Sequence, residues 1–323
     1  MIVLTGACGF IGSHLLSFLN KKEKNDIVLV DKFDDKLKLR NLEGKKYLEK
    51  VERTSFFSWF LRNADQIKFV IHLGARTDTT EKNWAILQEL NLDFSQNLFQ
   101  LCYQEDIPII YASSAATYGA GKLGYSDDLD PEKLNPLNLY GVSKNEMDVW
   151  VQAREKEEEV PKFWAGLKFF NVYGANEYHK NKMASVIYHA HQQIKTEKSM
   201  QLFRSHRENI ADGEQKRDFI YVKDVCEIIY FLIQKRPKSG IYNVGSGQAR
   251  SFLDLAYATF SAMNLPPQIN WIDTPETIRE SYQYFTQADM SKLTAAGYKK
   301  ELHTLEQGIE DYVQNYLEKM IYE

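Results

Sequence analysis

Met1-Ile2-Val3-Leu4-Thr5-Gly6-Ala7-Cys8-Gly9-Phe10-Ile11-Gly12-Ser13, continued through Leu19 and Ile27–Val30 to Asp31, is the stretch that decides the fold. The apolar run Met1–Leu4 reads as a strand, Thr5–Gly12 as a turn, Ser13–Leu19 as a helix and Ile27–Val30 as a second strand. Together they make a βαβ unit with glycines where a dinucleotide needs them. Gly6 permits the tight turn, Gly9 lets the backbone approach a pyrophosphate, and Gly12 lets helix and sheet pack closely. The helix N-terminus attracts the phosphate charge, with Phe10 and Ile11 in the same contact region. Asp31 stands about 20 residues after Gly12, where an acid binds a ribose hydroxyl. A glycine triplet alone is equally a structural turn, but here strand, helix and acid agree.

Asp31 suits a free 2′-hydroxyl, and so NAD, whereas Lys32, Lys38, Arg40 and Arg53 suit a 2′-phosphate, and so NADP. An ordinary basic, solvated loop is the third reading. The GxxGxxG spacing is similar to that of the short-chain dehydrogenase/reductase superfamily.

Further along, Lys32–Lys50 is charged and irregular, Thr54–Asn63 is helical, and Phe69–Leu73 is a strand followed by Gly74-Ala75-Arg76-Thr77. Ligands of a doubly wound sheet lie beyond the carboxyl ends of its strands, so Leu73–Thr77 is predicted to border the cofactor. Trp84–Tyr103 is an amphipathic helix, with Leu87, Leu90, Phe94, Leu98 and Leu101 on one face. Asn91, near its middle, supports the cofactor site or faces water. Ile107–Ala112 is a strand entering Ser113-Ser114, Asn138–Arg154 a helix, and Trp164–Phe170 a strand entering Asn171-Val172-Tyr173-Gly174.

From there the alternation loosens. Met183–Ile194, Val225–Ile233, Ser251–Met263 and Leu305–Met320 read as helices, Asp218–Val222 and Ile241–Val244 as strands, and Tyr282–Gln287 as an extended piece. The predicted class is α/β: a Rossmann-type doubly wound parallel sheet with a smaller interleaved C-terminal α/β substrate-binding lobe. Residues 1–171 and 217–246 are assigned to the dinucleotide domain, and 172–216 and 247–323 to the lobe.

The chain has 323 residues, 44 % of them hydrophobic, enough for a large core. Forty basic against 44 acidic residues, a net charge of −4, give no footprint for nucleic acid or an anionic membrane. No apolar run approaches the ~20 residues of a membrane span, and no basic leader precedes the first strand, so a cytoplasmic protein is expected. Cys8, Cys102 and Cys226 form no CxxC pair and the histidines no HExxH spacing, so neither disulfides nor a metal are expected.

The richest chemical signal is Tyr140-Gly141-Val142-Ser143-Lys144, on a helix that follows the Ser113-Ser114 strand end. Residues four apart share a helix face, which puts the Lys144 ammonium beside the Tyr140 ring. A phenol titrates near pH 10. To act as a base near neutrality it needs its pKa lowered by roughly three units, about 4 kcal/mol, and an ammonium and a cationic nicotinamide supply that. Ser114 would hold the substrate oxygen, and Lys144 would also bond the nicotinamide ribose. Taken alone, such a pair is more often surface decoration; behind a Ser-Ser strand end and a dinucleotide turn it reads as catalytic.

The glycine turn, Tyr111-Ala112-Ser113-Ser114-Ala115-Ala116-Thr117-Tyr118-Gly119 and Tyr140–Lys144 together resemble the extended short-chain dehydrogenase/reductases that act on nucleotide sugars. Phe170–Gly174, His179-Lys180, Met183–Val186, Arg217–Val222 and Tyr282–Asp289 resemble the ADP-glyceromanno-heptose 6-epimerase family, nearly end to end. That resemblance implies interconversion of ADP-D-glycero-D-manno-heptose and ADP-L-glycero-D-manno-heptose for lipopolysaccharide core synthesis. It implies bound NADP, held in part by Lys32, Lys38, Arg53, Val172 and Lys180, and a homo-oligomer. A carbon bearing only a hydroxyl cannot be inverted by simple deprotonation, so it is oxidised by hydride transfer and reduced again from the other face, with an acid/base for each orientation.

The resemblance gives those two roles to Tyr140 and Lys180. Lys182 stands where a small residue is expected, which leaves the choice of lysine open. Asn171, Lys180, Lys182, His189, Phe203, Arg204, Ser205, His206, Arg217 and Tyr282 are the implied sugar-nucleotide contacts, and Arg217 suits a pyrophosphate because a guanidinium binds two oxygens at once. The longer segment Arg207–Glu214 puts the Phe203–His206 contacts in question. Two alternatives remain at this level. One is another nucleotide-sugar epimerase or dehydratase of the same fold, such as a UDP-hexose 4-epimerase. The other is a non-catalytic dinucleotide-sensing protein, which would have no need of Ser114, Tyr140 and Lys144.

Overall fold

The computed structural model describes residues 1–279 and 282–323. Its first half alternates strand and helix: β1 (Ile2–Thr5), α1 (Phe10–Lys21), β2 (Ile27–Asp31), α2 (Lys36–Arg40), β3 (Glu49–Glu52), α3 (Phe56–Asn63), β4 (Phe69–His72), α4 (Trp84–Leu87), α5 (Phe94–Gln104), β5 (Ile109–Ser114), α6 (Leu139–Lys156) and β6 (Trp164–Phe169). The second half holds β7 (Asn171–Tyr173), α7 (Val186–Glu197), β8 (Met200–Phe203), β9 (Lys216–Tyr221), α8 (Val222–Lys235) and β10 (Gly240–Val244). It closes with β11 (Ala249–Ser251), α9 (Phe252–Ala262), β12 (Ile269–Ile272), α10 (Glu276–Arg279), α11 (Ser291–Ala295) and α12 (Leu305–Tyr312).

Seven parallel strands form the main sheet in the order β10-β6-β5-β4-β1-β2-β3. Parallel strands covered on both faces read as continuous apolar runs, as Ile27–Val30 does. One face packs Leu15, Leu16 and Leu19 of α1 against Ile228, Ile229 and Leu232 of α8. The other packs Phe56 and Phe60 of α3, Leu98 and Phe99 of α5 and Met147 and Val151 of α6. Strand order reverses between β1 and β4, which opens a crevice beyond their carboxyl ends.

After β6 the chain enters a second lobe, where β9 lies between parallel β7 and antiparallel β11, beside the parallel pair β8 and β12. Its core joins Tyr173, Ile187, Phe219, Tyr221, Leu255, Phe260, Ile309 and Tyr312. The chain returns to the main sheet through α8 and β10.

Several elements differ from the sequence reading for identifiable reasons. Helix α1 begins at Phe10, with Gly9 as its N-cap, because tertiary packing overrides the poor helix propensity of Gly12. The segment 32–50 is not wholly irregular: Asp35 caps α2 by accepting from the Leu37 and Lys38 amides, and β3 begins at Glu49. Only Val51 of β3 is buried, the pattern of a charged edge strand, and it leaves little apolar signal. The helix predicted over 84–103 is interrupted by a π-helical turn, Gln88–Asp93. Met183 ends a 3₁₀ turn begun at Tyr178, and α7 starts at Val186 under a Ser185 cap. The last helix turns π-helical over Val313–Leu317. The pair β8 and β12 alternates apolar and polar residues over only three positions in each strand, too short a run to mark a strand in the sequence. Tyr282–Gln287 is extended, with the Lys216 amide donating to Tyr284 O at 2.9 Å and the Thr286 amide to Lys216 O at 3.2 Å.

At the switch point Gly6 has φ +68°, and a Cβ there would lie 2.6 Å from Gly74 N. Gly6→Ala should therefore cost about 2–4 kcal/mol in thermal unfolding, strain and backbone overlap together. Gly44→Ala, at φ +74° with no atom within 4 Å of the added carbon, should cost about 1 kcal/mol. Equal losses in the two variants would mean that the contact between the turns does not constrain the fold.

Candidate active site

At the glycine turn, Gly9 offers no side-chain acceptor to the first turn of α1, which leaves backbone donors for an anion. A Cβ on Gly12 would lie 2.2 Å from Gly6 O, so helix and turn touch. The Asp31 carboxylate, buried at the end of β2, accepts from the Cys8 amide at 2.9 Å, the Lys32 amide at 2.8 Å and the Lys38 ammonium at 3.0 Å. The exposed Lys32 ammonium pairs with Asp34 at 2.6 Å, and Arg53 opens the 3₁₀ turn after β3. The Arg40 guanidinium instead lies 4.8 Å from the Tyr322 ring centre. Carboxylate and cations thus share one strand end. A backbone cradle closed to side chains, beside an acid–cation pair, fits an adenosine dinucleotide.

Leu73, Gly74 and Ala75 line the next strand end half-buried, while Arg76 and Thr77 are exposed. The Gly74 amide donates to Thr5 Oγ1 at 3.1 Å. Asn91 does not face water: it is fully buried in the π-helical turn. It accepts from the Arg76 amide at 2.7 Å and donates to Arg76 O and to Ser143 Oγ, each at 3.0 Å. The loop after β4 is thereby pinned to the helix of Tyr140 and Lys144.

Ser114 ends β5 and caps the following turn, its Oγ accepting from the Ala116 amide at 3.1 Å. Burial raises the Tyr140 phenol above its ordinary value, with the Ser114 hydroxyl opposing the rise in part. Lys144 is 3 % exposed, and its Nζ donates to Ala112 O at 2.9 Å. Burial lowers that ammonium to about 8, opposed by the Asp148 carboxylate. Three residues that the sequence reading did not mark complete this region: Asp148, Lys168 and Ser143. Asp148 was discoverable as the next i+4 step after Lys144 on one helix face; Lys168 gave no signal inside an apolar strand.

Lys180 lies on the 3₁₀ turn Tyr178–Met183. Its Nζ is 5.5 Å from the Phe10 ring centre, so it reaches the residue after the glycine turn. Burial lowers its pKa, opposed by the buried carboxylate of Glu177. Glu177 accepts from Ser185 Oγ at 2.7 Å and the Gly174 amide at 3.3 Å. Lys182 is exposed. Asn41 Nδ2, unmarked in the sequence reading, donates to Cys8 O at 2.9 Å and Asn176 O at 3.1 Å, and so ties the glycine turn to this loop. Val172 is half-buried beside exposed Asn171.

In the lobe, Phe203 ends β8, and its ring lies 6.3 Å from that of Tyr282. The His206 ring lies 6.0 Å from that of Tyr282, and the Arg217 guanidinium 5.6 Å from it. His206 Nδ1 and Tyr284 Oη are 2.9 Å apart. The structure therefore brings Phe203, His206, Arg217 and Tyr282 together, with Tyr284 as an unforeseen member. Segment 207–214 folds back over them: the Ser205 amide donates to Asp212 at 2.7 Å, and the Arg207 guanidinium lies 4.3 Å from the Tyr284 ring. Arg204 is exposed and pairs with Asp273 at 3.4 Å. His189 lies half-buried on α7, 5.7 Å from the Tyr188 ring. Among the described residues no cluster of histidine, cysteine, aspartate and glutamate is arranged for a metal, and no helix is long and apolar enough to cross a membrane.

A doubly wound sheet with a glycine cradle at its switch point, facing serine, tyrosine and lysine, defines a nicotinamide-dinucleotide-dependent enzyme. Residues 2–245 match the model of the NAD dependent epimerase/dehydratase family, and the chain belongs to that family. An ADP-L-glycero-D-manno-heptose-6-epimerase of Fusobacterium nucleatum is 46% identical, over 99% of this chain and 98% of its own length. One from Nitratidesulfovibrio vulgaris is 44% identical, over 98% of each. The crystal structure of the Helicobacter pylori ADP-L-glycero-D-manno-heptose-6-epimerase superposes with a TM-score of 0.81 at 30% identity, over 97% of this chain and 95% of that one.

Tyr140→Phe removes the titrating hydroxyl and little else. It should lower turnover ~10²–10⁴-fold while leaving dinucleotide affinity, followed by fluorescence titration, within about tenfold. Turnover within tenfold of the parent would rule out Tyr140 as an acid/base.

Proposed function

We infer that the chain interconverts ADP-D-glycero-D-manno-heptose and ADP-L-glycero-D-manno-heptose by inverting carbon six, as a precursor step of lipopolysaccharide core synthesis. The observation that carries this reading is a second amine, the half-buried Lys180, set against Phe10 at the glycine turn and opposite in origin to Tyr140: one comes from the lobe, the other from helix α6 flanking the main sheet. Two proton-transfer groups reaching one crevice from different elements suit a substrate whose end turns over between two hydride transfers. The near full-length likeness to relatives of that name supports the same substrate.

When bound, the nicotinamide supplies a hydride acceptor and afterwards a hydride donor. The chain does the rest. Tyr140 takes the proton from the six-hydroxyl in one orientation of the sugar, and Lys180 returns one in the other. Ser114 holds the reacting oxygen, and the Lys144 ammonium favours the phenolate. Arg217 pairs with the pyrophosphate, and Phe203 and Tyr282 pack the nucleoside. We assign NADP as the cofactor, with Lys32, Lys38 and Arg53 as partners of its 2′-phosphate; Lys38 and Asp31 already share that end of β2.

Lys180→Ala should reduce epimerisation ~10²-fold or more with the aromatic contacts intact, and survival of more than a tenth of the activity would refute the two-base reading. Lys38→Ala should weaken NADPH binding roughly tenfold or more, since hydrogen bonds to charged groups are worth ~1.5–3 kcal/mol, and should leave NADH binding nearly unchanged. Equal weakening for both would remove Lys38 from phosphate recognition.

A further inference from the structure

Beneath the catalytic helix lies an ion pair that the proposed reaction does not use. Asp148 follows Lys144 by one helical turn on α6 and is fully buried; Lys168 on β6 is 1 % exposed. Their charged atoms are 2.7 Å apart. The Asp148 carboxylate also accepts from Tyr111 Oη at 3.0 Å and Ser113 Oγ at 2.7 Å. Lys168 donates further to Thr117 Oγ1 at 2.6 Å, and Thr117 Oγ1 donates to Ser114 O at 2.8 Å. The pair therefore grips the chain on both sides of Ser114: through Ser113 before it and Thr117 after it.

Burying two charges is a poor route to stability, because desolvation consumes most of their attraction. The location suggests another use. Lys144 makes no ion pair among the described residues, and its ammonium is held by one carbonyl, that of Ala112. The titratable groups coupled to it are Asp148, one turn further along α6, and His72 on β4; Tyr140 stands one turn earlier on the same helix, and Tyr111 on β5 and Lys168 on β6 contact Asp148. Burial and the Lys144 charge lower His72 to about 3, so it is neutral. Asp148 is the acid that favours the charged form of Lys144.

We propose that Asp148 and Lys168 are positioning residues, which together fix the Ser114 turn and supply a fixed carboxylate one helical turn from the catalytic Lys144. Lys168 holds the carboxylate in place; Asp148 in turn favours the charged form of Lys144 in a dry site, where that ammonium supports the Tyr140 phenolate and meets the nicotinamide ribose. The inference rests on the reading of Tyr140 and Lys144 as the catalytic pair.

Asp148→Asn and the double variant Asp148→Asn/Lys168→Met separate this role from a structural one. Three quantities are read: thermal unfolding, the alkaline limb of the epimerisation profile, and the pH midpoint of NADP⁺ affinity, which needs no sugar. Asp148→Asn should unfold at lower temperature, lose roughly tenfold or more in turnover, and move both alkaline midpoints down by about one pH unit. The double variant removes both buried charges, so it should regain the unfolding midpoint while keeping the shifted profiles. Should Asp148→Asn fail to fold, the double variant is judged by the same criteria. Recovery of parental profiles along with stability in the double variant would overturn the inference, leaving the pair a structural bridge. Failure of the parent to epimerise would refute the substrate reading alone, and the NADP⁺ midpoints would still decide this one.

Discussion

The contact between two backbones, at Gly6 and Gly74, governs the rest of the molecule. Strands β1 and β4 diverge there, and their following turns are in direct contact, closer than a single methyl group on Gly6 allows. The same compaction brings Gly12 onto Gly6 O and aims the first turn of α1 into the crevice. Because the strands on both sides are buried and parallel, a shift of either turn would propagate through the register of the whole sheet. The site is thus a consequence of how the sheet reverses its winding.

Around that crevice the segments that carry the charged groups are tied to one another by buried polar side chains. Asn91 ties the loop after β4 to α6, and Asn41 ties the glycine turn to the loop of Lys180. Both are fully buried amides whose hydrogen bonds cross between loops. Interior polar groups of this kind are costly unless paired, so their pairing fixes the relative position of the segments they join. Two lysines, Lys144 and Lys180, are both lowered by burial and both opposed by a buried acid, Asp148 and Glu177 respectively. In both places the same two opposing effects, burial and a nearby acid, set the charge of an amine beside the crevice.

How much of this could be read from the sequence depended on the range of the interaction. The βαβ unit was legible because its period, glycines and acid all lie within about thirty residues. Tyr140 and Lys144 were legible because one helical turn separates them. The long buried strands were also plain, since burial on both faces makes apolar runs. Edge strand β3 was hidden by its charges, and the pair β8 and β12 by its brevity. Most of what was missed depends on contacts between distant segments. Asn41 meets Asn176 only once the lobe has folded against the sheet, Tyr284 meets His206 only once the two stretches of the lobe have come together, and Lys168 looks like an error in an apolar strand until Asp148 is placed beside it. Asn91 could not be assigned a side of its helix because a π-helical turn breaks the regular 3.6-residue spacing there.

The central claim is that one crevice both oxidises and re-reduces the same carbon. Purified protein with bound NADP⁺, given ADP-D-glycero-D-manno-heptose, tests it when inversion at carbon six is followed by chromatography and absorbance at the reduced-nicotinamide band is recorded together. The account predicts that the two heptose epimers reach equilibrium with no net accumulation of NADPH. Epimers that never interconvert while cofactor is shown to be bound, or NADPH that builds up in step with substrate loss, would contradict it.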